Sequence, residues 1–69
     1  MITIILNGKS TEIGENSNID QLLSTLELIN KRLAVEINQQ IVPRSEFDRI
    51  ILKEHDTVEI VQAIGGGGK

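Results

Sequence analysis

Ile2, Ile4 and Leu6 alternate with Thr3 and Ile5 at the start of the chain. A period of two marks a strand with one face turned to a core. Asn7-Gly8 follows, the pair that best accepts the left-handed turn of a two-residue hairpin. Lys9 to Ile13 then returns as a second strand, with Ile13 inward and Glu12 outward. After a loop at Gly14-Glu15-Asn16-Ser17 the period changes. Ile19, Leu22, Leu23 and Leu26 fall at i, i+3, i+4 and i+7, which predicts a helix over residues 19–28 with one apolar face. Asn18 is a good N-cap, Gln21 three residues on completes a capping box, and Asp20 suits the positive end of the helix. Burial of the four apolar side chains contributes roughly 6–12 kcal/mol as an upper bound.

Lys31 and Arg32 complement the negative end of that helix. Alternation resumes at Leu33, Val35 and Ile37, a third strand, and Asn38-Gln39-Gln40 is a turn. Ile41-Val42-Pro43 is a short extended piece, and the missing N–H of Pro43 keeps it out of the middle of a sheet. Ser45 is positioned to cap one helical turn through Glu46, Phe47 and Asp48. Of Ile50, Ile51 and Leu52, at least two are expected to be buried. Lys53-Glu54-His55-Asp56 is a polar turn, and Thr57 to Ala63 is the last strand, with Val58 and Ile60 inward and Glu59 outward. A hairpin, a crossover helix and further strands predict an α+β domain: a mixed sheet of four to five strands with one main helix packed on one face.

Composition narrows the picture. The chain has 69 residues, no cysteine and one aromatic residue, Phe47. The core is therefore aliphatic with a single aromatic plug, and disulfide, thiolate-metal and cysteine-nucleophile chemistry are excluded. A net charge of −3 argues against nucleic acid, which calls for basic patches and stacking aromatics. No apolar run reaches the length of a membrane span, and because alternation begins at Met1–Ile2 no leader is expected. A cytoplasmic protein is expected, without membrane or nucleic-acid partners.

The chain closes on Gly65-Gly66-Gly67-Gly68-Lys69. Four glycines bury no side chain, and ordering each costs roughly 1–2 kcal/mol. The expected organisation is a folded domain over residues 1–64 and a flexible tail over 65–69, available to a partner. Gly-Gly-Gly-Gly-Lys is not expected to be a phosphate-binding loop, since that motif needs Ser or Thr after the lysine and a helix beginning there. His55 between Glu54 and Asp56 does not supply the three or four converging ligands of a metal site. No second histidine and no cysteine offers a nucleophile–base pair, so the chain is not expected to be an enzyme or to hold a cofactor.

Several segments together carry a family resemblance: Asn7-Gly8-Lys9, Leu22-Leu23, the stretch Val35-Glu36-Ile37-Asn38-Gln39-Gln40-Ile41-Val42-Pro43-Arg44, and Asp56 to Gly66. The chain resembles the ubiquitin-like β-grasp proteins, and within them the ThiS-type sulfur carriers of thiamin biosynthesis. The resemblance implies that the last strand lies centrally beside the first. It also implies a function as a protein co-substrate. A ThiF-like adenylating enzyme uses ATP to activate the C-terminal glycine carboxylate, sulfur replaces the adenylate, and thiazole synthase consumes the resulting thiocarboxylate. The chain departs from the family pattern in ending on Lys69. Lys69 is an addition, is removed to expose Gly68, or marks a tail that is not a substrate. Gly68, with Gly67 before it, is the expected sulfur attachment point after loss of Lys69, and Gly66 is the alternative terminus. Ile5 and Val61, opposite the inward residues of their strands, are the expected partner-docking surface. Two alternatives stand beside this reading: a molybdopterin-synthase-type carrier, and a β-grasp interaction module with an inert tail.

Overall fold

A computed structural model of the chain describes residues 1–62. Its elements are β1 (Ile2–Leu6), β2 (Lys9–Ile13), α1 (Ile19–Thr25), β3 (Leu33–Ile37), β4 (Gln40–Val42), a 3₁₀ turn (Arg44–Glu46) and β5 (Thr57–Gln62). The five strands form one sheet in the order β2-β1-β5-β3-β4. β5 runs parallel to β1 and antiparallel to β3, so the last strand is central, as the resemblance implied. Every strand sends at least one buried residue to the same face: Ile4, Ile13, Val35, Val42, and both Val58 and Ile60. Ile19, Leu22 and Leu23 of α1 close over them with Phe47 and Leu52. The other face of the sheet carries no helix among the described residues.

The hairpins follow from backbone chemistry. Asn7 (φ 49°) and Gly8 (φ 84°) are both left-handed, as a type I′ turn requires. Asn38 (φ 51°) and Gln39 (φ 72°) repeat the arrangement between β3 and β4. That turn uses two residues, not three, because Gln40 already pairs with Ile37. β4 is an edge strand, consistent with the Pro43 that ends it.

The start of α1 matches expectation in detail. The Asn18 side chain accepts from the Gln21 N–H at 2.8 Å, and the Gln21 side chain accepts from the Asn18 N–H at 2.8 Å. The Phe47 carbonyl accepts from the N–H groups of Ile19 and Asp20, satisfying donors that have no partner inside the helix. The end of α1 does not match: it stops at Thr25, not residue 28. Glu27 takes φ 61°, its N–H bonds to the Ser24 carbonyl, and the Leu28 N–H bonds to the Leu23 carbonyl. These are the two bonds of a Schellman motif. Leu26 is consequently rotated out of the apolar stripe and is 36% exposed, whereas Leu28 packs against the core.

Two smaller expectations are also corrected. The 3₁₀ turn is led by Pro43, whose φ of −64° suits it, and no side chain caps it, so Ser45 does not play that part. Of the 50–52 triplet only Leu52 is fully buried. Ile50 is half-buried and Ile51 is 43% exposed, because an isolated bridge from Asn18 to Ile51 and the bond from Leu52 N–H to the Ser17 carbonyl hold this segment extended along the helix entry.

Candidate functional site

β5 is the last described element and precedes the glycines in the chain, so what holds it bears on the candidate site. Two asparagines hold it, one at each hairpin. Asn7 donates its backbone N–H to the Val58 carbonyl at 2.9 Å, and its side-chain oxygen accepts from the Ile60 N–H at 2.8 Å. Asn38 donates its N–H to the Thr57 carbonyl at 2.8 Å, and its side-chain oxygen accepts from the Thr57 N–H at 3.0 Å. The Asn38 amide nitrogen then donates to Asp56 at 3.1 Å, and Asp56 accepts from the Lys53 N–H at 2.9 Å. A left-handed backbone places each amide beside the adjoining strand, where it stands in for a missing rung of the ladder. β5 is thus fixed at its entry by Asn38 and three residues later by Asn7.

Of the expected docking residues, both lie on the sheet face away from α1. Val61 is 64% exposed and Ile5 is half-buried. They are not adjacent. Ile5 is level with Thr57, and Val61 pairs with Ala34, which separates them by about 13 Å along β5. Sequence reading missed a third apolar member of this face. Ile41, 72% exposed, pairs with Glu36 on the outer face. Glu36 in turn pairs with Glu59 across the two central strands. The alternation of Leu33–Ile37 and Thr57–Gln62 places both glutamates outward, but only the register of the two strands, about twenty residues apart in the chain, sets them opposite each other.

A depression of about 410 Å³ is lined by Ile37, Asn38, Gln40, Ile41, Val42 and Ile50. None of these side chains ionises in the range useful to an acid or base. His55 lies 3.4 Å from Glu54, and no group of three metal-binding side chains converges among the described residues. No helix among the described residues is long and apolar enough to cross a membrane. Gly66, Gly67, Gly68 and Lys69, the expected attachment residues and the residue that follows them, lie outside the described residues, as does the whole of the 65–69 tail.

Comparison with known proteins places this architecture. The crystal structure of the thiamine biosynthesis protein ThiS from Geobacter metallireducens superposes with a TM-score of 0.82 at 32% identity, covering 96% of this chain and all of that one. The sulfur carrier protein ThiS of Bacillus subtilis is 35% identical over 90% of this chain and 96% of its own length. A thiazole synthase of Paramagnetospirillum magneticum is 33% identical over 93% of this chain, which spans only 20% of that protein. The fold is therefore the β-grasp of these ThiS structures, and, with the ThiS family model matching residues 4–67, the chain belongs to the ThiS family.

Proposed function

We propose that this chain carries sulfur for thiazole formation in thiamin biosynthesis, as a co-substrate on which partner enzymes act. The observation that carries the reading is that the family match runs from the first strand into the glycines, ending at Gly67. A carboxylate is a poor electrophile, so activation comes first. The terminal carboxylate attacks ATP on an adenylating enzyme of the ThiF type, pyrophosphate leaves, and an acyl adenylate forms. A sulfur nucleophile then displaces AMP to leave a thiocarboxylate, which thiazole synthase consumes. No cysteine is required of the carrier, and it has none.

In this reading Gly68 bears the sulfur once Lys69 is gone, with Gly67 before it, and Gly66 is the alternative end. Glycines carry no side chain to obstruct a narrow channel, whereas a terminal lysine brings both bulk and charge. The outer sheet face bearing Ile5 and Val61 meets the partners, and the reactions take place in the cytoplasm. The match to a segment of a protein named thiazole synthase supports thiazole synthase as the acceptor, and favours the thiamin branch over a molybdopterin-type carrier.

The test is the intact mass of the protein isolated from its own cells. The carrier reading expects loss of Lys69 and a fraction heavier by the exchange of one oxygen for sulfur. A chain that keeps Lys69 and never gains sulfur, even beside its adenylating enzyme, is an interaction module with an inert tail.

A further inference from the structure

We infer that Asn7 is a site of spontaneous deamidation, latched against β5 in the folded chain, and that its isoaspartyl product releases the latch. The inference concerns the first hairpin and holds whether or not the chain carries sulfur. Asn7 is followed by Gly8, whereas Asn16, Asn18, Asn30 and Asn38 are followed by residues with side chains. The Gly8 nitrogen, after losing its proton to base, attacks the Asn7 Cγ. The Cγ–Nδ2 bond breaks, ammonia leaves with a proton from solvent, and a cyclic succinimide remains. Water opens the ring at Cγ to give aspartate, or at the Asn7 main-chain carbonyl to give isoaspartate, whose backbone runs through Cγ. Water is consumed and ammonia released, with no oxidant or reductant.

The turn is open to this chemistry. Asn7 and Gly8 are both exposed, and a Cβ built at Gly8 would meet nothing within 4 Å beyond its chain neighbours. Among the described residues the Gly8 N–H donates to no backbone carbonyl. A glycine also leaves its own nitrogen uncrowded. Asn38 supplies the comparison. Its backbone is left-handed at φ 51°, against 49° for Asn7. Its side-chain oxygen takes the Thr57 N–H at 3.0 Å, much as that of Asn7 takes the Ile60 N–H at 2.8 Å. What differs is the next residue, Gln39, whose side chain crowds the attacking nitrogen.

The latch sets the rate. With Oδ1 on the Ile60 N–H and Nδ2 3.4 Å from the Ile60 carbonyl, the Asn7 Cγ is held to another strand. It must let go of Ile60 before it can meet the Gly8 nitrogen. The rate in the folded chain is therefore that of the free turn multiplied by the fraction of chains with the latch open. The two products differ in what they undo. Aspartate still offers an acceptor to the Ile60 N–H. Isoaspartate adds a carbon to the main chain of a two-residue turn whose backbone is closely specified. It also shortens the side chain to a carboxylate on Cα, so the Ile60 N–H loses its partner.

The test incubates the full chain at mildly alkaline pH, folded in buffer and unfolded in guanidinium. Site and product are read by peptide mapping against synthetic aspartyl and isoaspartyl standards. Asn7 is expected to convert in both, at least about tenfold more slowly in the folded chain, while Asn38 keeps its amide over the same period. In guanidinium too dilute to unfold the chain, the rate at Asn7 should rise in step with amide exchange at Ile60. The purified isoaspartyl chain should exchange the Ile60 amide at least about tenfold faster than the starting chain. An unfolded chain that keeps its amide at Asn7, or that loses the amide of Asn38 as fast, overturns the inference. So do equal rates at Asn7 in the folded and unfolded chains, and an isoaspartyl chain that protects Ile60 fully. None of these readouts involves the glycines, so failure here leaves the carrier reading standing, and failure of that reading leaves this one.

Discussion

Asn7 shows how much one residue can do. Its left-handed backbone makes the first hairpin, and its side chain secures Ile60 from 53 positions away. Asn7→Gly keeps the turn and deletes the amide, leaving the Ile60 N–H without its partner. A loss of about 1–2 kcal/mol in denaturant-measured stability is expected, with faster amide exchange at Ile60. Wild-type exchange in that variant would mean that the side-chain bond is not made in solution. The turn was legible in the sequence because Asn-Gly acts locally. The grip on β5 was not, because it depends on which strand lies alongside. Phe47 was legible for another reason: as the one aromatic residue in an aliphatic chain it had few other places to go, and it is buried beneath the helix. Phe47→Ala is expected to lose about 3–5 kcal/mol. That is much of the total stability of a domain this small, so a thermal melt should show a broad transition near ambient temperature.

At the level of elements, starts were easier to read than stops. The capping box of α1 is written in two side chains, Asn18 and Gln21, and forms as written. The end of α1 is written in the backbone of Glu27, where no glycine marks the left-handed position. Leu26 therefore looked like the next core residue when it is not. Glu27→Gly relieves a left-handed strain of about 1–2 kcal/mol against about 0.5–1 kcal/mol for the added freedom of glycine. A net stabilisation of up to about 1.5 kcal/mol should appear as a higher denaturant midpoint at unchanged slope, and a lower midpoint would contradict the Schellman assignment. The same limit explains Ile51, whose exposure follows from a bridge to Asn18 and not from any periodicity in Ile50-Ile51-Leu52. Strand alternation, by contrast, marks β1, β3 and β5, because each buries only one face, whereas β2 follows from the Asn7-Gly8 turn and β4 shows in the sequence only as a short extended piece at Ile41-Val42-Pro43.

For the whole molecule, the sequence pattern supported an α+β sheet with one helix, and strand order came from family resemblance. The outer face was half legible. Val61 and Ile5 could be assigned outward from alternation, but the Glu36–Glu59 opposition and the nearness of Ile41 needed the register. The proposed tail chemistry belongs to this scale too, since on the carrier reading it joins a folded body to an enzyme. In a chain trimmed to end at Gly68, Gly68→Leu is expected to abolish adenylation, read as pyrophosphate release, while the melting temperature stays at the wild-type value. Retained activation would count against the threading of a side-chain-free terminus.

The central position of β5 has a consequence during synthesis. β1 and β3 cannot be joined until the strand between them has left the ribosome, and that strand is the last of the five to emerge. Any product broken off earlier lacks both the middle of its sheet and the glycines beyond it. It lacks the strand that joins its sheet and is open to proteases, so on the carrier reading premature termination before β5 does not release a body able to dock without an end to activate.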